Sequence, residues 1–394
     1  MLLVKKYGGS SVSSPEKILE IAKRLKDLAD QGNKLIIIVS AMGDTTDDLV
    51  HLSRRITHTP VQRELDMLLS AGERISMSLL AIALNSLGAE AISFTGSQSG
   101  VFTDGSHNNA RIKTIKAFRV QEELDKGLIV IIAGFQGVNP DTKEITTLGR
   151  GGSDTTAVAM AAQFKADRCD ILTDVRGIYS IDPRVSGVSP RAFTHLDYNA
   201  ALEMTYWGAR VLHYRSVELA ERAQIPILVH LSSEEGSGTL IESMEEKNFK
   251  AVNYNSHVAR LHFKEVELSE ALGKFKTALN SDKLPTPQII YQRNHRDGID
   301  LFISTSPENF EGLQKSLDGI ATVDSNWATV TLTGRGLVNS EGPFEVAEIL
   351  KQNQIPFEGL ITTPLSLSFL IPHDKIQRAS QVLHEKFITG CRPN

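Results

Sequence analysis

Cysteine is nearly absent. The 394 residues include two, Cys169 and Cys391, too few for a disulfide framework; Cys169 reads as a small apolar filler beside a buried strand. Neither sign of charge dominates, with 42 basic against 47 acidic residues and a formal net charge of −5. No basic stripe with interleaved aromatics occurs, so nucleic acid is not an expected partner. Apolar runs are short: none approaches a membrane span, and Leu2-Leu3-Val4 stops at glycines too soon for a signal peptide. No membrane association is expected, and the expected compartment is the cytoplasm. Also missing are the P-loop spacing G-x-x-x-x-G-K-[ST] and the dinucleotide fingerprint. The length leaves room for two or three domains.

Glycine, by contrast, is plentiful, with 29 residues, and two loops cluster it beside charged side chains. Residues 146–156 read Thr-Thr-Leu-Gly-Arg-Gly-Gly-Ser-Asp-Thr-Thr. Gly149, Gly151 and Gly152 leave the backbone bare enough for close approach to a ligand, and Arg150 among them is a cationic fork suited to a carboxylate or phosphate. Ser153 and Asp154 stand where a helix starts, and a helix N-terminus favours an anion. Asp154 adds a carboxylate able to hold an ammonium group or orient a catalytic residue. The plainer reading of the cluster is a solvated turn with a helix cap. At the N-terminus, Lys5-Lys6-Tyr7-Gly8-Gly9-Ser10-Ser11 follows the short apolar run and precedes an amphipathic stretch ending at Asp30. Ser14 suits an N-cap, Pro15 the first helical position, and Leu19, Ala22, Leu25 and Leu28 share one face. Amides of Gly8 and Gly9, with Lys6 reaching in from the strand end, suit phosphate oxygens.

Apolar runs at Leu35–Val39, Ala91–Phe94, Leu128–Ala133, Ile171–Leu172 and Ile227–Val229 are continuous rather than alternating and alternate with helical patterns. This is the pattern of a doubly wound α/β domain with a mainly parallel sheet. Ligands bind at the carboxyl ends of such strands, where the first glycine loop, Ser40–Thr46 and Thr173-Asp174 all fall. The catalytic domain is placed at 1–242. From Ser243 to Lys247 the chain turns charged and linker-like. Beyond it, 249–394 reads as two small ferredoxin-like α+β units, one about 258–317 and the other mainly 320–394. The last has strands at Ala328–Leu332, Phe357–Thr363 and Leu365–Ile371 and helices at Pro343–Asn353 and Ile376–Phe387. Ala328–Leu332 and Leu365–Ile371 are expected as apolar edges that pair with a second copy, giving a homodimer or higher homo-oligomer.

Taken together, Lys-Tyr-Gly-Gly-Ser-Ser-Val (6–12), Val-Ser-Ala-Met-Gly-Asp-Thr-Thr-Asp (39–47), Arg-Glu-Leu-Asp-Met-Leu-Leu-Ser-Ala-Gly-Glu (63–73), Ala-Gly-Phe-Gln-Gly-Val (133–138), the Gly-Arg-Gly-Gly-Ser-Asp loop and Thr-Asp-Val-Arg-Gly-Ile-Tyr-Ser-Ile-Asp-Pro-Arg (173–184) resemble the aspartate kinases of the amino acid kinase family. The C-terminal part resembles that family's tandem ACT domains. The resemblance implies transfer of the ATP γ-phosphoryl group, with Mg2+ riding on the phosphates, to the side-chain carboxylate of L-aspartate. The product is 4-phospho-L-aspartate, the entry to the aspartate-family amino acids such as lysine and threonine. It further implies that Lys6, helped by Gly8 and Gly9, neutralises the phosphoryl group, that Asp154 orients the lysine, and that Arg150 clamps the substrate α-carboxylate. Ser153, Thr46 and the Gly151 and Gly152 backbone would also hold substrate, while Glu73 pairs with its ammonium. By sequence alone Glu73 reads as an exposed helix charge. The nucleotide would be wrapped by Ser40, Thr173, Asp174, Tyr179, Asp182 and Arg184, and by Arg210, where many members have lysine.

Two other readings fit parts of this pattern. One is a kinase of another carboxylate, such as N-acetylglutamate, but an acetylated nitrogen has no charge for Glu73. The other is a non-catalytic amino-acid sensor, which has no need of Lys6 and Asp154. Effector control differs from the family pattern: the turn at Glu265-Val266-Glu267-Leu268-Ser269 has no glycine, and only Leu337–Pro343 comes close to one. Weak inhibition, at most, by lysine or threonine is expected.

Overall fold

The structure, a computed structural model, describes residues 1–57, 60–209, 211–234, 236–244, 250–282, 284–338 and 340–389. They form two compact units, drawn from the spans Met1–Ile178, Ala192–Leu202 and Arg210–Glu245 for the first and Tyr179–Arg191, Glu203–Ala209 and Glu246–Asn394 for the second.

The first unit runs β1 (Leu2–Tyr7), α1 (Pro15–Asp30), β2 (Lys34–Val39), α2 (Thr45–Ile56), α3 (Gln62–Ser86), β3 (Ala91–Phe94), β4 (Val101–Thr103), β5 (Ile112–Ile115), α4 (Phe118–Asp125), β6 (Ile129–Ala133), β7 (Gln136–Val138), β8 (Ile145–Thr147), α5 (Gly152–Phe164) and β9 (Arg168–Thr173). It continues with β10 (His195–Leu196), α6 (Tyr198–Tyr206, whose last residues count with the second unit), α7 (Tyr214–Ala223), β11 (Ile227–Leu231) and β12 (Gly238–Ile241). The main sheet has eight strands in the order β10-β12-β11-β9-β1-β2-β6-β3, parallel throughout except for the β11–β12 pair. Runs such as Ile36–Val39 and Val130–Ala133 are fully buried, as strands covered on both faces must be. One face packs on Ile18, Ile21, Ala22 and Leu25 of α1 and on Met77, Leu80 and Leu84 of α3.

In this unit two expectations need correction, and a third feature escaped the sequence. Leu19 is 42% exposed; the buried stripe of α1 is Ile18, Ile21, Ala22 and Leu25, because the true face runs one residue earlier. Second, α3 does reach the length and apolarity of a membrane span, but its Met77, Leu80 and Leu84 face packs on the sheet, while Ile75 and Ile82 are exposed. Third, a small sheet ordered β5-β4-β7-β8 lies outside the sequence reading, since strands of three or four residues leave little periodicity to read. Ser14 does cap α1, accepting from the Lys17 amide at 3.4 Å, and Cys169 is buried in β9.

The second unit contains β13 (Lys250–Lys264), α8 (Leu268–Ser281), β14 (Gln288–His295), β15 (Gly298–Ser304), α9 (Pro307–Ser316), β16 (Thr322–Gly334), α10 (Gly342–Gln352), β17 (Gly359–Thr363), β18 (Ser366–Pro372) and α11 (Ile376–His384). This is a βαββα order twice over, on one antiparallel sheet ordered β14-β15-β13-β16-β18-β17. The register reveals an exchange. Val258–Lys264 pairs with β15 and, from Val258 to His262, also with Thr322–Trp327 of β16, whereas Lys250–Asn255 pairs with Thr329–Gly334 of β16. The first half of β13 thus supplies the fourth strand of the last α+β unit, and an irregularity between Asn255 and Val258 marks the handover. The edges are β14 and β17. Ala328–Leu332 and Leu365–Ile371, expected as edges, are instead in or beside β16 and β18, which are paired on both sides.

Candidate active site

β1 lies between β2 and β9, with Lys6 opposite Ile38 on one side and Ile171 on the other. The carboxyl ends of these three adjacent parallel strands gather the first-loop, Ser40 and Thr173 segments at one edge. Lys6 points from β1 toward the first turn of α5, where its Nζ lies 2.8 Å from Asp154 Oδ1. The contact is close enough for an ion pair but off the line of a hydrogen bond. Both side chains are nearly buried. Gly8 differs from expectation: its amide already donates to Leu172 O at 3.2 Å, so it ties β1 to β9 rather than facing a ligand. Gly9 begins a short turn through Val12, and its amide meets no protein acceptor among the described residues.

Glu73 is no exposed helix charge. It is 3% exposed, because α3 presses so closely on the β2 end that a Cβ on Gly72 would sit 2.7 Å from the Ala41 Cβ. Its Oε1 accepts from the Ala41 amide at 3.2 Å. Oε2 is buried and has no partner among the described residues. Burial pushes the carboxyl up to about 7, against the pull of the Ala41 amide. Such a group gains by meeting a cation. Ser40 accepts at its carbonyl from Ser76 Oγ at 2.7 Å, and Thr46 is half-buried in the first turn of α2.

The Gly149–Gly152 segment is a tight loop closed by Gly152 N–H donating to Gly149 O at 2.9 Å. Gly151 caps α5 in the left-handed region at φ 70°, where only glycine is at ease. Ser153 and Asp154 are buried in the first turn of α5, and Arg150 is exposed. His213, to which the sequence reading gave no role, packs directly on this loop: a Cβ on Gly151 would lie 2.3 Å from the His213 Cβ. Burial and Arg215 push His213 down to about 4, with Asp154 opposing, so the ring is neutral near pH 7. Its Nδ1 accepts from the Arg215 amide at 3.3 Å and caps α7. The signal was available in Gly-Ala-Arg-Val-Leu-His (208–213), whose histidine precedes a helix.

Thr173 ends β9, and its hydroxyl donates to Asp174 Oδ1 at 3.0 Å. Tyr179, Asp182 and Arg184 fall within the span of the second unit. There the Asp182 carboxylate takes Arg184 Nη2 at 2.8 Å and Tyr254 Oη at 2.9 Å. Arg210 lies outside the described residues. The first unit therefore brings together Lys6, Gly9, Asp154, the Gly149–Ser153 loop, Glu73, Ser40, Thr46, Thr173 and Asp174. A lysine, an open amide and a helix N-terminus suit an anion, and a buried carboxylate with one open oxygen suits a cation.

Residues 1–230 match the amino acid kinase family. The chain is 40% identical over 412 residues to the aspartokinase of Mycolicibacterium smegmatis, covering 99% of this chain and 96% of that protein. It is 38% identical over 396 residues to that of Geobacillus stearothermophilus, covering 98% and 97%. Among solved structures, aspartokinase III of E. coli, in complex with aspartate and ADP, shares the fold with a TM-score of 0.83 at 24% identity, over 98% of this chain and 100% of that one. Aspartate kinase from Synechocystis matches at 30% identity and a TM-score of 0.56, over 100% of this chain and 70% of that one. By motifs, fold and near-full-length identity, the chain belongs to the aspartokinases of the amino acid kinase family.

Proposed function

We propose that this chain transfers the γ-phosphoryl group of ATP to the side-chain carboxylate of L-aspartate, giving 4-phospho-L-aspartate. The observation that carries this reading is 38–40% identity to curated aspartokinases over 98–99% of the chain. The chemistry suits the residues. A carboxylate nucleophile is already ionised near pH 7 and needs no general base. The difficulty is bringing two anions together, so catalysis rests on positioning and charge neutralisation. Lys6, steered by Asp154, meets the charge that develops on the transferring phosphoryl group, with the Gly9 amide beside it. Arg150 clamps the α-carboxylate, Glu73 takes the ammonium, and Ser153, Thr46, Gly151 and Gly152 complete the substrate contacts. An ammonium beside Glu73 favours its ionised form and so reverses the upward push of burial. Ser40, Thr173 and Asp174 take the nucleotide; Tyr179, Asp182, Arg184 and Arg210 enter this reading through the resemblance alone. Among the described residues no group of three His, Cys, Asp or Glu side chains gathers as a metal cage. An Mg2+ ion carried on the phosphates would supply further charge neutralisation.

We also propose a cytoplasmic enzyme that dimerises through its C-terminal sheet. A coupled ADP-release assay with aspartate, glutamate and N-acetylglutamate tests the activity. Turnover is expected with aspartate, and its absence there overturns the reading.

A further inference from the structure

We propose that Asp66 is a positioning residue for the aspartate site, a buried post that fixes the Gly149–Gly152 loop relative to Glu73. This rests on the proposed function and assigns a role to a residue outside the contacts given above. Asp66 lies on α3 and is wholly buried. A carboxylate in such a place is costly unless its oxygens are satisfied, and both are. Oδ1 accepts from Thr147 Oγ1 at 2.5 Å and from the Asn108 amide at 3.1 Å. Oδ2 faces His107 Nδ1 at 2.6 Å. Burial raises the carboxyl above the ordinary range, while Thr147 and His107 pull it back.

These donors come from two separate stretches, and both lead to the loop. Thr147 ends β8 three residues before Arg150. Asn108 is held in the left-handed region at φ 60°, and its carbonyl lies against the loop, 2.8 Å from where a Cβ on Gly149 would sit. The Ala110 amide closes the pair by donating to Thr147 O at 2.9 Å. On the other side, Glu73 follows Asp66 by seven residues of α3, two turns or about 10 Å of a rigid rod. One carboxylate thus sets in register the two groups that grip the α-carboxylate and the α-ammonium of the amino acid, leaving its side-chain carboxylate toward the phosphoryl donor. A misplacement of about 1 Å in such a pair is enough to cost roughly a hundredfold.

The test compares Asp66→Asn, Thr147→Val and Thr147→Ser in the full chain, with steady-state kinetics and thermal unfolding for each. Asp66→Asn and Thr147→Val are expected to raise the KM for aspartate by about tenfold or more, leaving the KM for ATP within about twofold. Thr147→Ser, which keeps the hydroxyl, should restore the wild-type value. In an Arg150→Ala background, Asp66→Asn should add little further, because the two act through one loop. If Asp66→Asn does not fold, the Thr147 pair decides. Folded variants with an unchanged aspartate KM, or an ATP KM that rises in step with it, overturn the proposal. A wild-type chain inactive on aspartate defeats the functional reading instead, so the two failures are distinct.

Discussion

Lys6 and Asp154 are each buried deeply enough that neither charge is tolerable alone, and their 2.8 Å approach lets both persist in the dry first turn of α5. Lys6→Gln keeps most of the length and a hydrogen-bonding head but removes the charge aimed at the transition state. The expected loss in kcat is two orders of magnitude or more, about 3 kcal/mol of barrier; near-normal turnover in the folded variant would remove Lys6 from the chemistry. Glu73 makes a different claim, about pH. Its folded value of about 7 lies above the ordinary 4.5 of a glutamate, so between those values the native state holds a proton that the unfolded chain has released. Stability from this group therefore falls as pH rises from about 4.5 to 7, by about 3 kcal/mol. Glu73→Gln does not titrate. Relative to wild type, the ligand-free variant should gain stability by that amount from pH 4.5 to pH 8, measured by urea unfolding. A difference that stays flat with pH would show that Glu73 is ionised without substrate.

At the scale of elements, the buried strands and the amphipathic α1 were legible because their periodicities are long or continuous. The glycine loops were legible because glycine and arginine in that order have few other uses. What escaped has a physical reason in each case. Glu73 read as exposed because one carboxylate in a helix carries no mark of the strand end packed against it. His213 acts through space on Gly151, more than sixty positions away. The exchange of strand halves between β13 and β16 depends on register, which alternation alone does not specify. Gly151 shows how tightly the loop is built. Alanine there must occupy the left-handed region, at about 1–2 kcal/mol, and also displace His213, whose Cβ would be 2.3 Å away. Gly151→Ala should therefore destabilise the protein by about 2–4 kcal/mol and raise the KM for aspartate more than that for ATP. A change below about 0.5 kcal/mol in urea unfolding would mean that the loop has another conformation open to it.

At the scale of the whole molecule, the C-terminal sheet ends on two open strands, β14 and β17. Since β16 and β18 are paired on both sides, self-association by strand pairing is left to those edges. The β17 end is the more apolar. Leu360 is 40% exposed, Phe357 38% and Phe344 of α10 72%, and Phe344 and Phe357 line one shallow cleft with Ala347, Ile355 and Pro356. Exposed apolar groups on an unpaired edge are what a symmetric partner covers. Sedimentation of the full chain should give a dimer, and Leu360→Lys with Phe344→Lys should shift it toward monomer while leaving aspartate and ATP saturation measurable. Effector control is the other half of this expectation. An amino acid can switch the enzyme only by binding one state better than another, which requires an ordered set of amides and a counter-charge. The turn before α8 has no glycine; Glu265 itself takes the left-handed backbone, at φ 55°. Lysine and threonine at millimolar concentration should therefore inhibit weakly at most. A monomeric full chain, a double variant that still dimerises, or inhibition by either amino acid at micromolar concentration would each overturn its part of this account.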